Sequence, residues 1–254
     1  MTPFNLQNRV AFVTGGNGGI GLGMAKGFAS SGAAVAIAGR NQTKGHAALA
    51  ELRSLGAQAE FVELDVLTEA SCHKATERAV ERFGRLDILV NNAGTNIRKA
   101  PQELTAQDWH LVLDTNLTSA FLCSQAAHPH MLRAGGGKII NIGSMMSIFG
   151  MPFATAYAAS KGGIVQMTRA MATAWAKDNI QVNAILPGWI DTDLTRNARE
   201  QISGLHEKVL GRTPAQRWGT PDDFAGIAIF LGSPASDFIT GAAIPVDGGY
   251  SVQG

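Results

Sequence analysis

The feature that most constrains the fold of this 254-residue chain is a glycine-rich segment between a short apolar run and a helical pattern. The apolar run covers residues 10–13, the glycine-rich segment covers 14–21, and the helical pattern continues to about residue 31. Short apolar runs of this kind are typical of buried parallel strands. At a strand–helix junction, bare glycine backbone can approach a pyrophosphate, and the helix N-terminus can bind it. The segment therefore predicts the first unit of an α/β sheet with a phosphate-binding turn.

Short apolar runs and longer helical patterns alternate through the rest of the chain. Further strands are predicted at residues 34–38, 61–64, 86–90, 139–142, 182–186 and 243–246. Helices are predicted at residues 43–55, 68–83, 105–133, 155–176 and 222–231. The alternation has no linker or low-complexity stretch, so we expect one doubly wound sheet in a single domain over residues 1–254. Within it, residues 188–219 combine polar helical stretches with glycine and proline, which favours a mobile segment that covers the substrate.

Composition and charge argue against several classes of protein. Hydrophobic residues make up 45% of the chain and charged residues 16%, as in a globular protein with a sizeable core. The formal charge of +1 gives no electrostatic case for a nucleic acid or an acidic membrane. No apolar run reaches the ~18 residues of a membrane span, and residues 1–5 lack the features of a signal peptide. The two cysteines, Cys72 and Cys123, are expected to be free thiols, which favours a cytoplasmic protein.

A tyrosine and a lysine stand four residues apart in the helix predicted at 155–176. Tyr157 and Lys161 would share one helix face, about 6 Å apart along the axis. At that spacing the ammonium can lie near the phenol and favour the phenolate. A free tyrosine titrates at about 10, so a base that works near neutrality needs a shift of roughly 3 units, or about 4 kcal/mol. Taken alone, such a pair is more often a partly buried aromatic ring beside a solvated lysine.

Five motifs in order favour the functional interpretation of that pair. They are residues 14–21, the Asn91-Asn92-Ala93-Gly94 turn, Ser144, Tyr157-x-x-x-Lys161 and Pro187-Gly188. Over about residues 9–249, their order and spacing resemble the short-chain dehydrogenase/reductase family. The glycine spacing G-x-x-x-G-x-G, instead of the commoner G-x-G-x-x-G, belongs to this resemblance. The resemblance implies a Rossmann-type, seven-stranded parallel sheet in a three-layer αβα sandwich. It also implies an NAD(P)-dependent oxidoreductase that interconverts a secondary alcohol and a ketone.

The resemblance also implies an active-site tetrad. Tyr157 would pass a proton to or from the substrate oxygen while hydride moves between the nicotinamide and the carbonyl carbon. Ser144 would hold that oxygen, and Lys161 would lower the tyrosine pKa and bind the nicotinamide ribose. Asn116 would keep a water in a proton relay; the alternative, a polar residue facing solvent, conflicts with its place on an apolar helix face. A non-catalytic dinucleotide-binding protein would not need Tyr157 and Lys161 together.

By the same resemblance, the cofactor contacts are distributed over much of the chain. They are Gly15, Asn17, Gly18, Gly19, Ile20, Gly21, Arg40, Asn41, Asp65, Val66, Asn92, Ala93, Gly94, Tyr157, Lys161, Pro187, Gly188, Ile190 and Thr192. Gly39 stands where NAD enzymes of the family usually have an acidic residue, and Arg40 can pair with a 2′-phosphate. We therefore expect a preference for NADP(H), with NAD(H) possible. Asn17 weakens this argument, because many NADP-preferring relatives have a basic residue in the glycine loop.

The substrate contacts are less constrained by the sequence. They are expected from Ser144, Met146, Tyr157, Trp189 and Arg98. Residues 95–101 and 212–219 resemble those of sugar-acid dehydrogenases, and Arg98 could grip a carboxylate bidentately, or else be a solvated loop charge like Lys99. Apolar candidates near Ser144, among them Met146 and Trp189, favour a less polar ketone. We expect a polyol or a sugar acid such as gluconate; the alternatives are a broad-specificity carbonyl reductase and a β-ketoacyl thioester reductase.

Two further expectations concern assembly and metal binding. The helices predicted at 105–133 and 155–176 carry apolar and small residues on more than one side, which a lone subunit could not bury well. Together with the family resemblance, this favours a homotetramer, with a dimer as the alternative. His128 and His130 form an H-x-H pattern, but no further ligands accompany it, so no metal is expected.

Overall fold

Seven strands form the centre of the computed structural model, which describes residues 3–254. They are β1 (Val10–Thr14), β2 (Ala34–Gly39), β3 (Ala59–Glu63), β4 (Ile88–Asn91), β5 (Gly137–Ile142), β6 (Ile180–Pro187) and β7 (Ala243–Val246). All neighbours pair in parallel, in the order β3-β2-β1-β4-β5-β6-β7. The central strands are buried along their length, as expected of a parallel sheet covered on both faces. The predicted Rossmann-type fold is confirmed.

Helices cover both faces of the sheet. They are α1 (Gly19–Ser30), α2 (Gln42–Ser54), α3 (Glu69–Phe83), α4 (Ala106–Leu113), α5 (Ser119–Arg133), α6 (Thr155–Trp175), α7 (Asp193–Gln201), α8 (Leu205–Arg212) and α9 (Ala225–Gly232). One core cluster joins the sheet to α1, α2 and α9, and a second joins it to α3, α5 and α6. Within residues 3–254, no helix is both long enough and apolar enough to cross a membrane.

The strand order reverses direction between β1 and β4. From β1 the chain builds outward through β2 and β3, and it then returns to the other side to build β4 to β7. The last residues of the two central strands, Thr14 and Asn91, are paired in register. In open parallel sheets a ligand crevice forms at the carboxyl ends of the strands on either side of such a reversal. The fold therefore places the candidate site at this edge.

The helix predicted over residues 105–133 is interrupted by a π-helical turn. Helix α4 ends at Leu113, the turn covers Asp114–Thr118, and α5 follows directly. A π-turn adds a residue to the helix and shifts the direction in which the following side chains point. Phe121, in the first turn of α5 after the π-turn, is 44% exposed. The turn brings Asn116, a member of the predicted tetrad, into the interior.

Residues 188–219 form a separately packed segment. Helices α7 and α8 enclose a small cluster of Ala198, Leu205 and Val209 around Trp218. A parallel bridge between Ile190 and Gly219 joins the two ends of the segment. The segment thus has a small core of its own, and Ile190 at its start packs into the cluster of the sheet with α1, α2 and α9.

Candidate active site

The loop between β1 and α1 leaves no room for side chains on its inner side. Gly15 and Gly19 have φ angles of 62° and 52°, in the left-handed region that favours glycine. A Cβ at Gly21 would lie 2.5 Å from Asn92 Nδ2 and 2.6 Å from the carbonyl oxygen of Gly15. By contrast, nothing lies within 4 Å of the Cβ position at Gly18. The loop is therefore packed against the protein on one side and open on the other, where a pyrophosphate can approach the backbone.

The turn after β4 is tied to this loop by hydrogen bonds. The Asn92 side-chain amide donates to the carbonyl oxygens of Thr14, at 3.1 Å, and Gly15, at 3.0 Å. In return, the Thr14 hydroxyl oxygen accepts from the backbone N–H groups of Asn92, at 3.0 Å, and Ala93, at 3.1 Å. These bonds satisfy polar groups at the ends of two neighbouring strands. They fix the distance between the glycine loop and the Asn91-Asn92-Ala93-Gly94 turn.

A cleft of about 290 Å³ opens at this edge of the sheet, and Ser144, Tyr157 and Lys161 line it. The predicted cofactor residues that also line it are Asn17, Gly18, Gly19, Ile20, Asn92, Gly94, Pro187, Gly188, Ile190 and Thr192. A neighbouring cleft of about 390 Å³ is lined by Gly15, Arg40, Asn41, Asp65, Val66 and Ala93, and it shares Asn17 and Gly94 with the first. The structure thus brings the predicted cofactor residues together along one groove, except Gly21, which packs behind its wall.

Tyr157 lies in the first turn of α6. Burial is the main influence on its phenol and raises the pKa, whereas hydrogen bonding with Ser144 and the charge of Arg98 act in the opposite direction. The Lys161 ammonium lies 5.6 Å from the centroid of the Tyr157 ring. The sequence predicts that the lysine favours the phenolate. The structure favours the neutral phenol instead, because burial penalises the charged phenolate more than its surroundings stabilise it. In this state Tyr157 is a neutral proton donor.

Lys161 is buried one helical turn further along α6. Its ammonium donates to the carbonyl oxygen of Ile142, at the end of β5, at 2.7 Å. Burial lowers the pKa of this ammonium to about 8. The backbone is held as well, since the Ser147 hydroxyl donates to the Lys161 carbonyl oxygen at 2.7 Å and accepts from the Ser144 N–H at 3.2 Å. Ser147 therefore positions both Lys161 and Ser144.

Asn116 is buried beside these residues, and its amide is fully engaged. Its Oδ1 accepts from the Thr95 N–H at 2.8 Å, while its Nδ2 donates to the Thr95 carbonyl oxygen at 3.0 Å and to the Ser160 hydroxyl at 3.0 Å. A Cβ at Gly94 would lie 3.3 Å from Asn116 Oδ1 and 3.7 Å from Lys161 Nζ. The alternative of a solvent-facing residue is therefore wrong. Asn116 braces the loop after β4; its part in a water relay stays a prediction.

The end of β2 fits a phosphorylated ribose. A Cβ at Gly39 would lie 2.9 Å from Asn17 Nδ2, so a larger side chain at this position would require the Asn17 side chain to move. Arg40 is exposed beside it, and Asn41 caps α2 by accepting from the Lys44 N–H at 2.9 Å. A guanidinium at the mouth of the groove, without a neighbouring carboxylate on β2, suits a phosphate better than a free hydroxyl. Together with the open face of the glycine loop, these residues fit a nicotinamide dinucleotide.

The predicted substrate residues fall into two groups. Met146 and Trp189 pack with Phe149 and Tyr250 in an apolar cluster beside Ser144, instead of on the wall of the 290 Å³ cleft. Arg98 lies on the loop after β4 and crosses to α7. Its guanidinium donates to Gln201 Oε1 at 3.2 Å and to the Leu194 carbonyl oxygen at 3.4 Å.

The contacts of Arg98 and Lys99 differ. The Lys99 ammonium is held by Asp108 at 2.6 Å, at the start of α4. Arg98 is partly buried, and this burial lowers its pKa, while the nearby Tyr157 phenol raises it. The two neighbours therefore point to different places, Lys99 to α4 and Arg98 to α7. Arg98 is a partly buried cation, and its contact with a substrate stays a prediction.

Several cleft residues were not predicted from the sequence. They are Lys44, Ile142, Gly143, Asp193, Leu194 and Thr195. The Lys44 ammonium, from the first turn of α2, pairs with the Asp193 carboxylate of α7 at 2.8 Å. The proximity of Lys44 to Arg40 in the sequence was the available signal. Its partner, 149 residues further along, can be identified only from the structure.

The remaining titratable candidates are accounted for by other contacts. His128 pairs with Asp178 at 3.2 Å, and His130 contacts Arg133 at 2.6 Å. In the part of the chain that the structure describes, no three His, Cys, Asp or Glu side chains are grouped so that they could hold a metal ion. Cys72 and Cys123 are free and buried.

Comparisons with known proteins agree with this geometry. Residues 15–251 match a family model described as enoyl-(acyl carrier protein) reductase. The chain is 42% identical over 253 residues to the 2-dehydro-3-deoxy-D-gluconate 5-dehydrogenase of Escherichia coli K12, covering 98% of both chains. It is 36% identical to a 3-oxoacyl-(acyl-carrier-protein) reductase of Chlamydia pneumoniae, covering 97% of this chain and 98% of the relative.

A similar crystal structure is that of a gluconate 5-dehydrogenase from Burkholderia cenocepacia J2315 in complex with NADP and tartrate. Its TM-score is 0.94 at 39% sequence identity, over 99% of this chain and 98% of that one. One assignment follows from the glycine loop, from the Ser144, Tyr157 and Lys161 side chains in one cleft, and from these relatives, which match nearly the full length of the chain. The chain belongs to the short-chain dehydrogenase/reductase family and is an NAD(P)-dependent oxidoreductase acting on CH–OH groups.

Proposed function

We propose that this enzyme interconverts a secondary alcohol of a sugar acid and the corresponding ketone, with NADP(H) as the preferred cofactor. The observation that carries the proposal is Arg98, a partly buried cation that acts on Tyr157 and reaches α7. The relative from Escherichia coli, named for 2-dehydro-3-deoxy-D-gluconate, supports the same substrate class. So does the related gluconate 5-dehydrogenase that was crystallised with tartrate, a hydroxy acid.

In the proposed mechanism, Tyr157 and Ser144 handle the substrate oxygen. The bound nicotinamide supplies or accepts the hydride at the carbonyl carbon. During reduction the neutral Tyr157 phenol donates its proton to the oxygen as negative charge develops there. Ser144, which lines the same cleft as Tyr157, holds the same oxygen in place. Oxidation runs through the phenolate, so its rate rises with pH as the phenol ionises.

Lys161 and Asn116 have supporting functions in this scheme. The Lys161 ammonium is held at the floor of the cleft by the Ile142 carbonyl oxygen, where it can donate to the ribose hydroxyls of a dinucleotide. With its pKa lowered to about 8, it also loses a proton readily and can take one up again. Asn116 keeps the loop after β4 at a fixed distance from α6 through Thr95 and Ser160. We expect it to act on the geometry of the site.

Arg98 is proposed to bind the substrate carboxylate. In the structure its two donor groups contact an amide oxygen and a backbone carbonyl oxygen, both neutral acceptors. A carboxylate is a stronger partner, because it adds the attraction of opposite charges and accepts both guanidinium bonds in one planar pair. A carboxylate on the substrate would therefore replace Gln201 as the partner of Arg98 and release the far end of α7. We propose that segment 188–219 then adjusts to cover the substrate.

The preference for NADP(H) rests on β2. Gly39 leaves no carboxylate to repel a 2′-phosphate, and Arg40 stands free beside Asn17. Since Arg40 would contact only the phosphate, Arg40→Ala should raise KM for NADP⁺ about tenfold and leave KM for NAD⁺ nearly unchanged. The measurement is steady-state kinetics with both cofactors. A higher kcat/KM with NAD⁺ than with NADP⁺ in the unmodified enzyme would contradict the proposal.

We also propose a homotetramer that works in the cytoplasm. The support for assembly is a set of exposed apolar side chains on helices α4 and α5: Leu111 is 41%, Phe121 44% and Leu132 44% exposed. Such residues are expected to be covered by further subunits. The support for a reducing compartment is the pair of free thiols, Cys72 and Cys123. Light scattering tests the assembly, and a monomer at micromolar concentration would refute it.

The decisive experiment compares substrates in both directions. The purified enzyme is assayed with NADP⁺ and NAD⁺ against gluconate, neutral polyols and simple secondary alcohols, and with NADPH against the keto acids and ketones. The proposal predicts the highest kcat/KM with a carboxylate substrate. Turnover of apolar ketones only would instead favour a broad carbonyl reductase, for which the apolar cluster of Met146, Phe149 and Trp189 beside Ser144 provides a basis.

A further inference from the structure

Helix α7 is joined to the body of the protein across the mouth of the groove by two polar bridges. Arg98 contacts the far end, at Gln201, and the backbone near the start, at Leu194. At its first residue, Asp193 pairs with Lys44 of α2 at 2.8 Å. Because α2 begins next to the proposed 2′-phosphate site, this second bridge lies over the cofactor end of the groove.

The ion pair stands where the dinucleotide phosphates approach. Lys44 and Asp193 line the same cleft as Asn17, Gly18 and Gly19. The residue before Asp193 lies close to the loop, since a Cβ at Gly19 would lie 3.3 Å from Thr192 Cγ2. A pyrophosphate bound at the open face of the glycine loop would therefore have an ammonium and a carboxylate beside it. It would attract the first and repel the second.

We propose that Lys44 contacts the cofactor pyrophosphate, and that its ion pair with Asp193 is a clasp that the pyrophosphate opens when the dinucleotide binds. This inference rests on the dinucleotide site proposed above.

The exchange of partners costs little, for two reasons. First, both side chains are well exposed, 59% for Lys44 and 70% for Asp193, and exposed ion pairs are weak. Second, Asp193 keeps another partner, because Arg196 on the same helix contacts its second oxygen at 3.0 Å. The Lys44 and Arg196 contacts hold the pKa of Asp193 below its usual value, so the carboxylate is charged at neutral pH. Lys44 can therefore leave for a phosphate without stranding Asp193.

The test compares two clasp variants with a matched control pair. The clasp variants are Lys44→Met and Asp193→Asn. The controls are Lys26→Met and Glu51→Gln, which break a similar exposed pair at 2.5 Å between α1 and α2, outside both clefts. The readout is the Kd of NADPH and of NADH, from fluorescence titration without substrate at low salt.

The clasp predicts opposite effects for its two members. Lys44→Met should raise the Kd of both dinucleotides about fivefold, because a phosphate contact is lost. Asp193→Asn should lower both by about threefold, because a competitor for Lys44 and a repelling charge are removed. In the free protein, both variants should speed hydrogen exchange of the α7 amides, since one end of the helix is released. The control variants should leave all three quantities unchanged.

Three outcomes would overturn the inference. Kd values within twofold of the unmodified enzyme in both clasp variants would show that Lys44 is a surface charge. If Lys44→Met lowered the affinity for NADPH alone, Lys44 would contact the 2′-phosphate and not the pyrophosphate. If Asp193→Asn weakened the binding of both dinucleotides, the carboxylate would itself be a cofactor contact. Failure of the unmodified enzyme to bind either dinucleotide would refute the proposed cofactor site itself, a result distinct from all three.

Discussion

The edge of the sheet and the 188–219 segment are held in place by different forces. At the edge, buried hydrogen bonds from Thr14, Asn92, Asn116 and Lys161 join strand ends, loops and α6. The segment contacts that edge partly through side-chain bridges at the mouth of the groove, of which Lys44–Asp193 is largely exposed. Breaking a buried hydrogen bond leaves an unsatisfied group and costs about 1–3 kcal/mol, whereas an exposed ion pair contributes about 0–1 kcal/mol.

This difference separates chemistry from recognition. The groups that transfer protons need fixed distances, and the sheet edge supplies them. The groups that recognise anionic parts of ligands must exchange one partner for another, and weak bridges allow that at little cost. Variants at the edge should therefore abolish turnover or stability, and variants in the bridges should change affinities. The following predictions test that division, from the largest expected effect to the smallest.

Tyr157→Phe should have the largest effect on turnover. The ring still packs in α6, but the proton donor is gone, so kcat should fall by at least ~10²-fold. NADPH binding, measured by fluorescence, should remain. Tyr250→Phe is the control, because it removes the other tyrosine hydroxyl of the chain. Near-full turnover of Tyr157→Phe would mean that the sheet edge does not supply the proton.

Gly21→Ala should disrupt the fixed edge itself. The new Cβ would be 2.5 Å from Asn92 Nδ2, so the bonds between Asn92 and the glycine loop must give way. We expect a loss of about 1–3 kcal/mol in the free energy of unfolding, together with weaker dinucleotide binding. Gly18→Ala is the matched control, since nothing lies within 4 Å of its Cβ position and its φ of 176° is open to any residue. Equal effects in the two variants would contradict the packing described for the loop.

Lys161→Met should separate stability from function at the edge. Burial lowers the pKa of Lys161 to about 8 from an ordinary value of 10.5, so folding opposes its protonation. That penalty is complete below pH 8 and fades as pH rises toward 10.5. The variant should thus be more stable by about 2 kcal/mol at pH 7, after the lost bond to Ile142 is deducted, and less active.

The measurement for Lys161→Met is denaturant unfolding at several pH values. The gain in the free energy of unfolding over the unmodified enzyme should decrease between pH 8 and 10.5. Lys177→Met, at an exposed lysine after the same helix, should show no such trend. A stability gain that does not depend on pH would point to improved apolar packing and away from the buried charge.

Arg98→Ala should have the smallest effect of the four and should act on affinity. KM for a carboxylate substrate should rise about tenfold, with little change for a neutral polyol, because only the former offers the guanidinium an anionic partner. Lys99→Ala is the adjacent control, since Asp108 holds that lysine away from the site. If both substrates respond alike to the loss of Arg98, the residue acts by holding α7 and not by recognising the substrate.

The sequence was sufficient for the sheet, because its strands follow local rules, whereas the catalytic side chains were predicted from the family resemblance. Each strand is a short apolar run, and Tyr157 and Lys161 keep their helical spacing in α6. The glycine loop was predicted from its place between β1 and α1. What could not be predicted depends on long-range packing. The pKa of Tyr157 is set by burial that no local pattern reveals, and Lys44 meets Asp193 only after the whole sheet has formed.

The expectation of one regular helix over residues 105–133 failed for another reason. A regular period of apolar residues before and after Asp114–Thr118 conceals the extra residue of the π-turn. The turn shows only in what its side chains do, as Asn116 bonds to Thr95 and Ser160. A single sequence gives no sign of those distant partners.

That π-turn also determines where the chain can tolerate insertions and deletions. A residue deleted from an exposed loop shortens the loop and leaves its flanks in place. A residue deleted from Asp114–Thr118 would convert the wide turn to a regular α-helical turn and leave the side chains of α5 facing as they do now, but it would break the bonds of Asn116 to Thr95 and Ser160. A residue deleted early in α5 would instead rotate every later side chain by about 100°, and Ser124 would turn away from Asn91, which it now contacts at 2.9 Å. At this turn the helix can therefore change its length, whereas the site beside it cannot.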